Sequence, residues 1–296
     1  MISVIISSVK PEYLKQVSNN IENTIGVPYE LITFANGSGE KGLCEIYNLG
    51  IDKAKYDVLC FMHEDVDIKT ENWGKAVIDH FNSDPNLGLL GIAGSTYKTL
   101  TPTGWHGAGA NTPRGNYIQS SKKSNLPPKH YYLNPYNEEI AQVACVDGVW
   151  LCTTKKIASE VRFDDATFKR FHAYDLDFSL AVGQKYKVAV TYNVLLDHFS
   201  EGSYDSSWME ETLKLHSKWN EVLPVNVGDT PLETVIRIEK NVFKGFINQL
   251  IHFNYPIQVV LDVLARSKKY FSLKPFLMTK LKYYIFSKYF FKKQVS

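Results

Sequence analysis

Strand-length apolar runs alternate with helical patterns from the start of the chain, and that alternation restricts it to an α/β architecture. Ser3 to Ser8 reads as a first strand, and Pro11 at a helix N1 position opens a polar helix running to about Ile25. Tyr29 to Ala35 is a second strand. A Gly-rich loop from Asn36 to Gly42 then leads into a helix from Leu43 to Ala54, and Asp57 to Met62 is a third strand. Such a pattern predicts a mostly parallel central sheet flanked by helices, with ligands at the strand C-termini. From Gly91 to Asn137 the pattern dissolves into Gly, Pro, Asn, Ser and Tyr around Gly104-Trp105-His106-Gly107, which points to a functional lid or binding surface. Val143 to Thr153 and Val188 to Leu196 resume strand character. From Trp208 onward the chain reads as helical, so a boundary near Ser206 divides residues 1–205 from a helical region, 206–296.

With 44% hydrophobic and 22% charged residues, the 296-residue chain has the composition of a soluble globular protein with a sizeable core. The N-terminus lacks the pattern of a secretory signal. Cys44, Cys60, Cys145 and Cys152 show no CxxC pairing and sit in apolar contexts, as reduced core residues of a cytoplasmic protein do.

The third strand ends abruptly in His63-Glu64-Asp65-Val66-Asp67. Three acids within four residues repel one another unless water screens them or a cation neutralises them. Hard oxygen ligands at a strand end favour Mg2+ or Mn2+, which commonly accompany a phosphate; a solvated acidic turn is the plainer alternative. A second constellation, Phe171-His172-Ala173-Tyr174-Asp175-Leu176-Asp177-Phe178, is followed by Leu196-Asp197-His198-Phe199-Ser200-Glu201-Gly202-Ser203. A helix beginning at Tyr174 places Asp175 and Asp177 near its N-terminus, where the dipole favours ionised carboxylates and an Asp suits general-base chemistry. His198, just beyond a strand end, suits cation coordination as neutral imidazole. A helix cap and a turn residue are the structural alternatives for Asp175 and His198.

Gly37-Ser38-Gly39-Glu40-Lys41-Gly42 matches the dinucleotide fingerprint G-x-G-x-x-G, with Glu64 roughly 20 residues further on as its ribose acid, and so carries an NAD-dependent oxidoreductase as a rival. It follows the second strand, however, where the fingerprint normally follows the first. One ribose acid also leaves the three-carboxylate cluster unexplained.

Asn36-Gly37-Ser38, Tyr47-Asn48-Leu49-Gly50-Ile51 and Phe61-Met62-His63-Glu64-Asp65 resemble, in order, the signatures of family 2 glycosyltransferases with the GT-A fold. Val146-Asp147-Gly148-Val149, Tyr174 to Asp177 and His198 to Ser203 resemble a bacterial subgroup related to a streptomycin-biosynthesis protein and found among glycan-assembly enzymes. The likeness runs from about residue 2 to 224. It implies a Rossmann-like α/β sheet with a C-terminal helical appendage, and inverting transfer of a sugar from a nucleotide diphosphate to a glycan or lipid-linked acceptor in surface-polysaccharide assembly. Asp65 falls on the second position of the family's Asp-x-Asp metal motif and His63 on the first. The implied ligands of Mn2+ or Mg2+ are Asp65, Asp67 and His198, and His63 contacts either ribose or metal. Asp175 falls on the family's catalytic base, with Tyr174 replacing the usual Glu. Ser7, Asn36, Asn48, His63, Glu64, Asp147 and Gly148 are the implied donor-binding residues, and Trp105, Tyr174 and Asp177 the acceptor-binding ones. For Trp105 a loop anchor is the alternative to sugar stacking, and for His106 and His172 a structural role is favoured. Ala35 replaces the family's nucleobase-reading Asp, and uridine diphosphate is the default donor. A noncatalytic GT-A-like module that binds a nucleotide or glycan is the rival of another class.

The net charge of +2 conceals a basic C-terminus: no acid follows Asp262, while nine Lys or Arg residues do. Phe276, Leu277, Leu281, Tyr284, Ile285 and Phe291 recur at helical spacing between lysines, too short a run to span a bilayer. Such a helix either lies on an anionic membrane at its cytoplasmic face or packs its aromatic face on the catalytic domain. Nothing upstream resembles a nucleic-acid module, so no nucleic-acid partner is expected.

Overall fold

The computed structural model describes the chain except residues 110, 121–126, 200, 201, 203, 272 and 292–296. The sequence expectations for Ser200, Glu201 and Ser203 therefore lie outside the described residues. The expected alternation is present: β1 (Ile2–Ser8), α1 (Pro11–Thr24), β2 (Tyr29–Ala35), α2 (Leu43–Lys53), β3 (Val58–Met62), β4 (Val66–Ile68), α3 (Trp73–Ser83) and β5 (Leu87–Gly91). There follow β6 (Ala93–Ser95), β7 (Tyr97–Lys98), a 3-10 turn at Trp105–Ala108, β8 (Pro113–Gln119), β9 (Lys129–Leu133), β10 (Ile140–Gln142), β11 (Cys145–Val146) and β12 (Trp150–Thr154). Next come α4 (Lys155–Val161), α5 (Tyr174–Val182), β13 (Lys187–Thr191), β14 (Leu196–His198), α6 (Ser206–Lys218) and β15 (Val225–Asn226). The chain closes with α7 (Leu232–His252), α8 (Ile257–Arg266), α9 (Lys268–Phe271) and α10 (Pro275–Phe291).

The main sheet has the order β10-β13-β5-β12-β3-β1-β2. β13, β5, β3, β1 and β2 run in one direction, and β10 and β12 run against them. Period-two alternation sends Ile5, Leu59 and Phe61 into one core layer with α2, α4 and α5. Val4, Ile6, Cys60 and Met62 enter the opposite layer, with Val17 and Ile21 of α1 and Trp73 of α3. Fully burying a large apolar side chain contributes roughly 1.5–3 kcal/mol, so these two layers dominate the fold's stability. All four cysteines are free and buried, as expected.

Two expectations about organisation change. The segment from Gly91 to Asn137 is not one long loop; it supplies most of a second sheet, ordered β11-β6-β8-β14-β4 with β9 beside β8. β6, β11, β14 and β4 are only two or three residues long, and β8 and β9 mix Pro, Gly and polar residues with Tyr, so they carry no apolar alternation. The apolar run Val143 to Thr153 divides between the two sheets as β11 and β12, broken at Asp147-Gly148, and Val188 to Leu196 divides likewise into β13 and β14. Packing and strand pairing cross the expected boundary at Ser206. α6, beyond it, sends Leu215 into the first core layer and Met209 into a third core with Phe243, Phe246, Ile247, Leu281 and Ile285. β15 pairs with β7, so the chain after Ser206 is joined to the first domain by a strand as well as by packing.

Candidate active site

β3 delivers its acidic end to the mouth of the sheet, and the pairing of β14 with β4 brings a second imidazole there. His198 lies opposite Val66, and the Phe199 N–H donates to the Asp65 carbonyl at 3.0 Å. Asp65 Oδ1 consequently stands 3.6 Å from His198 Nε2 and 3.9 Å from His63 Nδ1. One ligand atom from each of these three side chains falls within 4.8 Å of the others.

The tautomer of His63 follows from its neighbours. The Tyr174 hydroxyl donates its hydrogen to the Gly148 carbonyl at 2.9 Å, so its oxygen accepts the hydrogen bond from His63 Nε2–H, 2.8 Å away. His63 therefore carries its hydrogen on Nε2 and turns the Nδ1 lone pair toward Asp65. Burial pushes its pKa down against the pull of Asp65, which favours neutral imidazole, the form that binds metal. Two imidazole nitrogens and one carboxylate fit a divalent transition cation, and a hydrogen-bonded outer partner such as Tyr174 is the usual means of aiming such a histidine.

Asp67 does not join this group. Its carboxylate accepts from Asn20 Nδ2 and lies 2.6 Å from Lys69 Nζ, which anchors β4 to α1. Glu64 also turns away, accepting from the N–H groups of Val9 and Lys10 at 3.1 and 3.0 Å. It supplies an acceptor at the start of α1, where Lys10 makes no side-chain cap and negative charge is favoured. Asn48, expected at the donor, is a buried clamp: it donates to the Phe163 carbonyl and accepts from the Phe163 N–H, at 2.9 and 3.0 Å. Asn36 closes the Gly-rich loop, bonding both the carbonyl and the N–H of Lys41. In that loop a Cβ on Gly42 would meet the Lys169 carbonyl oxygen at 2.5 Å, so this glycine serves close packing. β2, which precedes the loop, is the edge strand of the main sheet. Ser7 is half-buried near the end of β1, across from Phe34.

The remaining residues converge on a cleft of about 830 Å³ whose walls include His63, Trp105, Asp147, Asp175 and His198. Asp147 accepts from Trp105 Nε1 and from the Val149 N–H, which holds the turn between the two sheets. Gly148 is obligatory in that turn, because a Cβ would meet the Tyr174 hydroxyl at 2.1 Å. Asp175 sits in the first turn of α5 and accepts from the Gly148 N–H at 3.0 Å. Burial and the nearby Asp147 carboxylate push its pKa up to about 7, against the lowering effect of backbone N–H donors. A carboxylate titrating near neutrality in a cleft wall has the property required of a general base.

Of the expected acceptor residues, Asp177 lies away from the cleft, and Tyr174 reaches its wall with the hydroxyl already engaged. The Tyr174 side chain is buried and its hydroxyl is engaged with His63 and Gly148. Asp177, one helical step past the cleft-facing Asp175, is buried against Trp219 Nε1 at 2.7 Å and Lys218 Nζ at 2.8 Å, tying α5 to the end of α6. Sequence reasoning also missed an entire wall: Trp208 and Thr212 of α6, and Val242, Gly245, Phe246 and Gln249 of α7, face the same cleft. Gly245 was the available signal, since glycine inside a helix costs about 1 kcal/mol relative to alanine. A Cβ there would meet open space, as the cleft requires. Phe171, 53% exposed with its ring 5.5 Å from that of His63, is a further aromatic at the mouth.

No protein of curated function matches the chain. Its structure is similar to that of GalNAc-T7 with UDP, GalNAc and Mn2+, at TM-score 0.52 and 11% identity, over 86% of this chain and 58% of that one. It is similar also to S. aureus TarS 1-349 in complex with UDP-GlcNAc, at TM-score 0.52 and 12% identity, over 97% of this chain and 87% of that one. At such identities the likeness shows the fold, and the fold is GT-A, with a central sheet flanked by helices. The sequence profile described as "Glycosyltransferase like family" matches residues 3–214, most of the chain, and this protein therefore belongs to that family.

Proposed function

We propose that the protein is a metal-dependent inverting glycosyltransferase that moves a sugar from a uridine diphosphate donor to a hydroxyl of a glycan or lipid-linked acceptor in bacterial surface-polysaccharide assembly. The observation that carries this reading is the meeting, in one cleft, of a carboxylate titrating near neutrality with His63 and His198, which Asp65 joins from behind as a group fit for a divalent cation. Both solved relatives carry UDP in their crystals, which supports a uridine donor here. The mixed nitrogen and oxygen donor set favours Mn2+ over Mg2+, which prefers oxygen ligands alone.

His63, Asp65 and His198 would hold the cation, which when bound supplies positive charge to the departing diphosphate. Asp175 takes the acceptor proton as the hydroxyl attacks the anomeric carbon from the face opposite the leaving group, and the configuration inverts. Its raised pKa makes it a stronger base than an ordinary carboxylate while leaving a large ionised fraction at neutral pH. Asp147 sustains that basicity and is itself held by Trp105. Trp105, in the cleft wall, offers its ring to a sugar face. Ser7 and the backbone at Asp147-Gly148 stay assigned to the donor side.

Thermal-shift titration with uridine, guanosine, cytidine and thymidine diphosphates and NAD, each with and without Mn2+, tests the reading. Stabilisation by uridine diphosphate that requires Mn2+ is expected. Stabilisation by NAD alone, indifferent to metal, would overturn it. Turnover of a UDP-sugar that disappears in Asp175→Asn while nucleotide binding persists separates an enzyme from a noncatalytic binding module.

A further inference from the structure

α10 carries apolar side chains around much of its circumference, interrupted by Lys280, Lys282 and Lys288, but buries only one side fully. Leu281 and Ile285 enter the third core, whereas Phe276, Tyr283 and Phe290 project outward, 84%, 73% and 64% exposed. Those three recur every seven residues, two helical turns, and with the exposed Phe286 they make one continuous aromatic stripe. An apolar helix face is ordinarily covered, and whereas Leu277, Met278, Tyr284 and Tyr289 are partly buried beside Leu281 and Ile285, the aromatic stripe is left exposed among the described residues.

Beside the stripe runs a groove between α7 and α10, in lobes of about 460 and 700 Å³. Its walls carry Arg237, Lys240, Lys244, Lys274 and Lys280 against a single acid, Glu233. An isologous contact with a second copy would set these cations against themselves, which disfavours self-association through this face. Aromatic rings flanked by lysines fit the headgroup layer of a bilayer, where the rings lie at interfacial depth and the ammonium groups extend to lipid phosphates. At 17 residues α10 can lie in that layer, and no helix among the described residues is long and apolar enough to cross a membrane.

We propose that the α7–α10 face docks on an anionic bilayer, with Phe276, Tyr283, Phe286 and Phe290 in the headgroup layer and the groove cations on lipid phosphates. α7 gives the docking a functional sense. Val242, Phe246 and Gln249 line the cleft from one side of this helix, while Arg237, Lys240 and Lys244 line the groove from the other. Bilayer and cleft are thus separated by about one helix diameter, roughly 10 Å, within reach of an acceptor anchored by a lipid. The docking itself stands independently of the transfer reaction.

Sedimentation of the full-length protein with vesicles tests this surface. Binding is expected to vesicles containing phosphatidylglycerol and not to phosphatidylcholine alone. The triple variant Phe276→Ser, Tyr283→Ser, Phe290→Ser is expected to lose at least tenfold in vesicle affinity, with an unchanged thermal midpoint because all three side chains are exposed. Failure to sediment with anionic vesicles overturns the proposal, and so does equal binding by the triple variant. Light scattering covers the other occupant: a dimer that the triple variant dissolves, in a protein that ignores vesicles, would assign the face to a second copy instead.

Discussion

The Tyr174 hydroxyl stands 2.8 Å from His63 Nε2 and donates onward to the Gly148 carbonyl, so one buried phenol decides which nitrogen of His63 faces Asp65. That chain links the first turn of α5, the turn between the two sheets and the end of β3. Tyr174 also lines the cleft, and in the proposed metal site its hydroxyl would act as a positioning group for His63.

Tyr174→Phe leaves the ring packed against Tyr47 and Phe163 but removes the hydrogen bond that aims His63. Mn2+ affinity, read by calorimetric titration, is expected to fall about 10–100-fold, the usual cost of losing an outer partner of a metal-bound histidine. Unchanged affinity would show that His63 is oriented by packing alone.

Asp175→Asn is expected to reduce turnover by about 10²–10⁴-fold, with nucleotide and Mn2+ binding retained. In the native enzyme the rate should rise with pH along a limb whose apparent pKa is about 7, because the protonated carboxyl cannot accept the acceptor's proton. Asp147→Asn removes the neighbouring negative charge and should move that limb to lower pH. The same raised pKa has a thermodynamic sign. Between the ordinary carboxylate range and about 7 the folded state binds more protons at this site than the unfolded state, so the site's contribution to stability is complete in acid and is lost as pH rises through about 7. The Tm of Asp175→Asn relative to the native protein should therefore be higher at pH 8 than at pH 5.

Asp177→Asn separates scaffold from site. Its carboxylate joins Lys218 and Trp219 in a buried contact, so a loss of about 1–3 kcal/mol in urea unfolding is expected while kcat per folded molecule stays near the native value. A selective rise in acceptor KM without loss of stability would restore Asp177 to the acceptor site.

Glu239 of α7 is the second buried carboxylate with a structural task. It accepts from the Tyr97 hydroxyl, the N–H groups of Leu100 and Thr101, and the Thr101 hydroxyl, at 2.7–3.0 Å. The segment it holds leads directly into Trp105. Glu239→Ala should destabilise by about 3 kcal/mol or more, since several buried donors lose their acceptor together, and should raise acceptor KM more than donor KM. Equal changes in both would detach this latch from the acceptor side.

The local elements near the N-terminus were legible because their causes are local. Pro11 sets a helix start, period-two apolar runs make Ile2–Ser8 and Val58–Met62 strands, and His63 to Asp67 is visibly a cluster of potential ligands. The strands between Gly91 and Asn137 were not legible: β6 and β7 are only three and two residues long, and the seven-residue β8 mixes Pro, Arg, Gly and Asn, so they depend on pairing with neighbours distant in sequence rather than on their own pattern.

Within the site, residue type and position at element ends nominated His63, Asp65, Asp175 and His198, and the family resemblance added Asp147. Residue chemistry alone does not separate Asp65 from Asp67, or Asp175 from Asp177; the resemblance put both Asp65 and Asp67 on the cation, Asp175 on the base and Asp177 on the acceptor. Tertiary structure decided those cases. β4 turns Asp67 onto Asn20 and Lys69, and α5 turns Asp177 onto Lys218 and Trp219, where a helical step of two residues points the side chains to different faces. The near-neutral pKa of Asp175 and the cleft wall from α7 were likewise decided in space, because desolvation and charge proximity act through distances that chain order does not encode.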